Sequence, residues 1–119
     1  MNVKSPIIGV NGIVLISSQY QEQVSFYKDV LGLSVTSKTS DATFFQCGEQ
    51  ILAIFAKGHH PQGDRSLCGA EHGISHLEFC IESKNLNGIC NKLKEAGSHS
   101  YKDVFQDADG NLFHFVVKE

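Results

Sequence analysis

Apolar and polar residues alternate with a period of two along several short stretches of this chain, and two stretches of helical period interrupt them. From Gly73 to Ser83 the alternation sets Leu77, Phe79 and Ile81 on one face, and His76, Glu78 and Cys80 on the other. The final segment repeats it, with Phe113, Phe115 and Val117 opposite Leu112, His114 and Val116. A strand with one wholly apolar face packs that face against something, and a helix is the expected cover. The other face carries imidazole, carboxylate and thiol groups where a solvated sheet could have used Thr or Lys. Function is expected on that face.

In chain order, Ile8 to Ser17 predicts a first strand, with Ile13 and Leu15 on one face and Gly12, Val14 and Ile16 on the other. Tyr20, Val24, Tyr27 and Leu31 recur at helical spacing, which predicts a helix over Gln21 to Leu31 stopped by Gly32. Leu33 to Lys38 and Ala42 to Cys47 read as short strands joined by the turn Thr39-Ser40-Asp41. Gly48-Glu49 then turns the chain into Gln50 to Ala56, where Leu52 and Ile54 alternate against Ile51, Ala53 and Phe55. Lys57 to His72 has glycine, proline, histidine and charge without periodicity and reads as a loop or linker. The order then returns. His76 to Glu82 is a strand and Ser83 a candidate N-cap. Leu86, Ile89, Cys90 and Leu93 form a helical stripe ended by Gly97. Short extended pieces, the turn Asp107-Ala108-Asp109-Gly110 and a last strand from Asn111 follow. This is an internal duplication inside a single domain, 1–119, with one module at about 8–56, a loop at 57–73 and a second module at about 74–118. Each half would bury its sheet under its own helix and leave the opposite face as a concave surface.

Composition narrows the function classes. A net charge of −3 lacks the basic excess of a nucleic-acid surface. Hydrophobic residues at 41% and charged residues at 19% describe an ordinary globular domain, and no apolar run approaches bilayer length. Met1 to Pro6 lacks the basic and apolar regions of a signal peptide. Cys47, Cys68, Cys80 and Cys90 show no C-x-x-C spacing and fall mostly in apolar segments, so buried reduced thiols and a cytoplasmic location are expected.

The run Ile13 to Val35, centred on Phe26-Tyr27-Lys28-Asp29-Val30-Leu31-Gly32-Leu33, resembles the vicinal oxygen chelate superfamily. So do the strand His76-Leu77-Glu78-Phe79 and the turn Asp107-Ala108-Asp109-Gly110-Asn111. That superfamily includes glyoxalase I, extradiol dioxygenases, fosfomycin-resistance thiol transferases and bleomycin-resistance proteins, and the resemblance spans nearly the whole chain. It implies an α+β fold of two βαβββ modules whose curved mixed sheets surround a cleft. The short link from Gly97 to the Asp-Gly-Asn turn implies an abbreviated second module. A homodimer with clefts shared between subunits is implied as well. Carried over position by position, the family's four metal-ligand sites fall at Gly12, Ala53, His76 and His114. The first module thus offers no donor where the family has His and Glu, and His114 stands where a Glu is usual. Glu78, roughly 6.6–7 Å along the strand from His76, is a candidate carboxylate or base.

Three readings follow. In one, an apolar cleft lined by Val14, Ile16, Phe55 and Leu112 binds or sequesters a small molecule, with His76, Glu78 and His114 as polar anchors. In another, Zn, Ni, Fe or Mn held by His76, His114 and Glu78 or a loop histidine serves a divergent lyase, isomerase or dioxygenase. In the third, the chain kept the fold and lost the chemistry. The apolar cleft residues equally suit a dimer core. The loop histidines His59, His60 and His72 could swing over the cleft or stay in solvent. Asp107-x-Asp109-Gly110 lacks the ligand spacing of a calcium loop and reads as a turn.

Overall fold

A computed structural model describes residues 5–59 and 75–118. His60, Cys68, His72, Gly73, Ile74 and most of the predicted loop lie outside these residues. The first module runs β1 (Gly12–Ser17), α1 (Tyr20–Ser25, continuing as a π-helical turn over Phe26–Val30), β2 (Ser34–Lys38), β3 (Ala42–Cys47) and β4 (Gln50–Ala56). The second runs β5 (Leu77–Ile81), α2 (Ser83–Glu95), β6 (His99–Tyr101), β7 (Val104–Gln106) and β8 (Leu112–Val117). Each module makes one four-stranded sheet, ordered β1-β4-β3-β2 and β5-β8-β7-β6. In both, the first strand pairs parallel with the last and the other pairs are antiparallel. The duplication expected from the order of elements is therefore a duplication of topology. The second module is shortened rather than incomplete: its inner hairpin is present, with three residues in each of β6 and β7.

Boundaries differ from the sequence expectation where a partner is lacking. β1 begins at Gly12, not Ile8, because its parallel register with β4 starts at Gly12 opposite Ile51. Ile7, Ile8 and Val10 precede any available partner strand and stay exposed. The first helix widens after Ser25. The Leu31 amide donates to the Phe26 carbonyl, a five-residue step, and consecutive Phe26 and Tyr27 are both buried. Gly32 (φ 74°) and Gly97 (φ 75°) end the two helices in the left-handed conformation. In α2 the N-cap is Glu82 rather than Ser83, its extended backbone (φ −77°, ψ 144°) preceding the first helical residue.

The core decides which sheet faces remain for function. Phe45, Leu52 and Ile54 of sheet one, Leu77, Phe105 and Phe113 of sheet two, and Phe26, Tyr27 and Leu93 of the helices form one buried cluster. Ile13, Leu15, Phe79 and Phe115 pack onto it. Within each strand these residues recur at every second position, and register neighbours such as Phe45 and Leu52 put them on one side of their sheet. The helix-facing sides of both sheets therefore meet in a common core. The alternate positions lie on two outward faces: Gly12, Val14, Ile16, Phe44, Ala53 and Phe55 on sheet one, and Glu78, Cys80, Leu112, His114 and Val116 on sheet two.

A carboxylate joins the modules. Asp107, 4% exposed, accepts from Gln23 Nε2 (2.9 Å) and Tyr27 Oη (2.7 Å) of the first helix. It also accepts from Asn111 Nδ2 (2.9 Å) and from the amides of Asp109 (3.0 Å) and Asn111 (2.9 Å). With these five donors the carboxylate is fully engaged, which makes the Asp-x-Asp-Gly-Asn segment a clasp rather than a calcium loop. Among the described cysteines, Cys47 and Cys90 are half-buried free thiols. Cys80 is free but exposed, contrary to the expected burial, because it lies on the outward face of β5.

Candidate functional site

Sheet two positions three donors by simple register. Glu78 on β5 lies directly opposite His114 on β8, its parallel neighbour. His76 stands two residues before Glu78, on the same side, just ahead of the strand. The outcome is convergence: the ligand atoms of His76, Glu78 and His114 all lie within 4.8 Å of one another. Glu78 Oε2 sits 3.3 Å from His76 Nε2 and 3.1 Å from His114 Nε2. The two imidazole rings are 5.1 Å apart and tilted by 31°. Ser75 Oγ lies 3.0 Å from His76 Nδ1, so the ring is held from behind while Nε2 faces the carboxylate.

The hydrogen bond from His76, followed by the influence of His114, lowers the Glu78 pKa below the ordinary carboxylate value. That direction suits an ionised ligand carboxylate. A proton-accepting Glu78 would need the opposite shift, raised by burial, and its side chain is 54% exposed. Two imidazole nitrogens and one carboxylate oxygen at a single locus fit an open three-ligand divalent-cation site.

The remaining predicted residues are distributed differently. Val14, 56% exposed, and half-buried Ile16 and Phe55 lie on the outward side of sheet one, where Ile16 is the register neighbour of Phe55. Leu112 lies on sheet two and lines a cavity of about 290 Å³ with Leu15, Ser75, His76 and Asn111. The structure thus brings His76, Glu78, His114 and Leu112 to one locus and sets Val14, Ile16 and Phe55 on another face. The first-module ligand positions are empty of donors, and at Gly12 they are closed to them. A Cβ there would lie 2.6 Å from the Ile51 carbonyl oxygen.

His59 is fixed rather than loose. Its Nδ1 lies 2.7 Å from Asp41 Oδ2, and its ring packs against Phe55 with centroids 4.5 Å apart. Asp41 was legible only as a turn residue, because nothing local in sequence announces a partner eighteen positions away. Gln23, the clasp's third side-chain donor, escaped for the same reason. A serine immediately before a candidate ligand histidine was the one available sign of Ser75.

Comparison with known proteins places these features. The profile of the Glyoxalase/Bleomycin resistance protein/Dioxygenase superfamily matches residues 9–115. Metallothiol transferase FosB of Staphylococcus haemolyticus is 25% identical over 89 residues, 75% of this chain and 60% of the relative. The chain therefore spans about 60% of that relative's length. Glutathione transferase FosA of Serratia marcescens is 20% identical over 107 residues, 90% of this chain and 72% of the relative. Among solved structures, the fosfomycin resistance protein FosX of Listeria monocytogenes has a TM-score of 0.72 at 18% identity, covering 95% of each chain. Lactoylglutathione lyase of Agrobacterium tumefaciens has a TM-score of 0.64 at 20% identity, covering 95% of this chain and 96% of its own.

Proposed function

We propose, since this chain belongs to the Glyoxalase/Bleomycin resistance protein/Dioxygenase superfamily, that it acts on a small oxygen-bearing molecule at a divalent-cation site held by His76, Glu78 and His114. The observation that carries this reading is the convergence of three donor atoms within 4.8 Å on one outward sheet face. The first-module positions of the family contribute no donor, so all three ligand side chains come from the second module. In that arrangement Glu78 replaces the carboxylate that the family carries at the position of His114.

A cation bound there supplies Lewis acidity toward ligand oxygens; Zn, Ni, Fe and Mn are the candidates for this donor set. The protein's own residues define the rest. Ser75 fixes the His76 ring so that Nε2 points at the shared locus. Glu78 stays ionised and contributes negative charge without competing for a proton. Leu112 and Leu15 give the adjoining 290 Å³ cavity an apolar wall that excludes water from one side of a bound molecule. Because the shared core separates the two outward sheet faces of one chain, a second copy is the natural source of a wall opposite the cluster. A homodimer with Val14, Ile16 and Phe55 of one copy facing the histidines of the other is part of this proposal.

Protein purified without chelators is expected to carry close to one Zn, Ni, Fe or Mn per chain by elemental analysis, and His76→Ala and His114→Ala are each expected to lower that content severalfold. Trace metal that the substitutions leave unchanged would overturn the reading. A second reading, ligand sequestration without metal, is favoured by donor-free Gly12 and Ala53 on the first module. It predicts thermal stabilisation of chelator-treated protein by an aromatic or anionic small molecule, with loss of the effect in His114→Ala.

A further inference from the structure

One cavity lies at the seam between the two modules. About 330 Å³ in volume, it is walled by Ile13 of β1, Leu52 of β4 and Leu77 and Phe79 of β5, all residues of the shared core, together with Cys47 and Cys80. Its described lining does not include Val14, Ile16 or Phe55, so the cavity belongs to one chain and is not the face offered to a second copy. Each module brings one thiol to it. Cys47 ends β3, at the turn into β4, and is half-buried against the core. Cys80 lies on β5, where Val116 of β8 is its register neighbour, and is exposed. Both thiols are free. They are also close enough to act on each other: burial first, and then Cys80, holds the Cys47 thiol above its ordinary pKa.

Two sulfurs facing one small cavity define a chemistry by their softness. Thiolates select soft cations, whereas calcium, magnesium and manganese are held by oxygen donors. A coordinating thiol gives up its proton to the metal even where burial would otherwise keep it protonated. Charge then selects the valence. Glu49 and Glu78 line the same cavity, so a monovalent ion on two thiolates would leave a net negative unit beside two carboxylates. A divalent ion on two thiolates closes a neutral unit, which suits the apolar walls. Among the described residues only His76, Glu78 and His114 gather three donor atoms, so the seam offers a two-sulfur site of a different kind.

We propose that Cys47 and Cys80 clamp a soft divalent cation, of the Cd²⁺ or Hg²⁺ type, across the seam between the modules. Each S–H bond breaks as an S–metal bond forms, both electron pairs stay on sulfur, and two protons pass to solvent. No oxidant or reductant takes part. The bound ion ties β3 of the first module to β5 of the second, a link added to the shared core and the Asp107 clasp. Binding to the folded chain alone therefore stabilises it.

The test adds Cd²⁺ alone to the reduced full chain and follows the thiolate-to-cadmium charge-transfer band in the ultraviolet, which imidazole and carboxylate ligands do not produce. In wild type the band is expected to saturate at about one ion per chain and the unfolding temperature to rise with it. Residues that merely support a ligand change metal affinity about ten- to hundredfold, so removing one of two ligands should cost about a hundredfold or more. That loss is expected in Cys80→Ser, at an exposed position, and in Cys47→Ala, which keeps a small apolar group against the core. Cys90→Ser, on α2 and outside the cavity lining, should leave the band unchanged. Cys80→Ser and Cys47→Ala should also keep the wild-type Zn, Ni, Fe or Mn content, so this site and the histidine–glutamate cluster stand or fall separately. The proposal is overturned if wild type gives no saturable band, if the band survives Cys47→Ala (the mark of exposed Cys80 binding alone) or Cys80→Ser, or if Cys90→Ser removes it.

Discussion

At the scale of single residues, the site is defined as much by a closed position as by its donors. A ligand at Gly12 would stand at one of the family's chelate positions, yet any side chain there meets backbone. The Ile51 carbonyl oxygen would lie 2.6 Å from the added Cβ and belongs to the strand paired with β1, so neither can yield without disturbing the register. Gly12→Ala is expected to cost about 1–3 kcal/mol in denaturant unfolding, and Gly12→His should fail to raise metal content. Glu78 makes the complementary case. Its pKa in the folded protein lies below its unfolded value because His76 hydrogen-bonds the charged form. Its contribution is thus present above the ordinary carboxylate range and is lost as pH falls through the lowered value. Glu78→Gln should be less stable than wild type near neutrality, the difference closing in acid; an unchanged difference at low pH would mean that the carboxylate charge is not what matters. Alternation put His76 and Glu78 on one side of their strand and His114 on the side of the last strand opposite its apolar face, and the family resemblance matched 76 and 114 to ligand positions. Their closeness was not legible, because it depends on the parallel pairing of β5 with β8, which no local pattern encodes.

At the scale of elements, the first helix and the turn before β8 act as one unit. Tyr27 was legible as a core residue at helical spacing, but its hydroxyl was not legible as a donor to a carboxylate eighty positions away. The widened π turn over Phe26–Val30 is likewise invisible to the sequence pattern, because helical spacing of apolar residues announces a regular α-helix and not the five-residue hydrogen-bond step. The order of elements was readable, since glycines at the helix ends and turns marked the repeat, whereas strand lengths, the start of β1 and the N-cap of α2 were misjudged. Asp107→Ala would leave the buried Tyr27 hydroxyl and Gln23 amide without their acceptor, an expected loss of about 3 kcal/mol or more. Burial first, then the Asp107 charge, pushes the Tyr27 pKa far above its ordinary value. A raised folded pKa means that the unfolded chain releases its proton first, so stability falls as pH rises beyond about 10. Tyr27→Phe should flatten that alkaline decline in thermal unfolding curves; an unaltered slope would assign the decline to other groups.

At the scale of the whole molecule, the decisive feature is that the two sheets share a core through their helix-facing sides. One chain therefore presents an apolar outward face on its first module and a donor-bearing outward face on its second, and it cannot lay one upon the other. Two copies can, and the exposed Val14 at 56% is the residue such an arrangement would cover. Placing Arg at Val14 puts a charge at the centre of that contact, where desolvation without a partner is costly. Wild type is expected to sediment as a dimer and Val14→Arg as a monomer. The metal proposal makes a sharper demand on the same variant. All three donors come from the second module of one chain, so the monomeric Val14→Arg protein should keep the wild-type metal content, whereas a site with ligands divided between copies would lose it on dissociation. Elemental analysis across the dimer-to-monomer transition distinguishes the two, and metal lost in step with the dimer would show that a donor outside His76, Glu78 and His114 holds the cation.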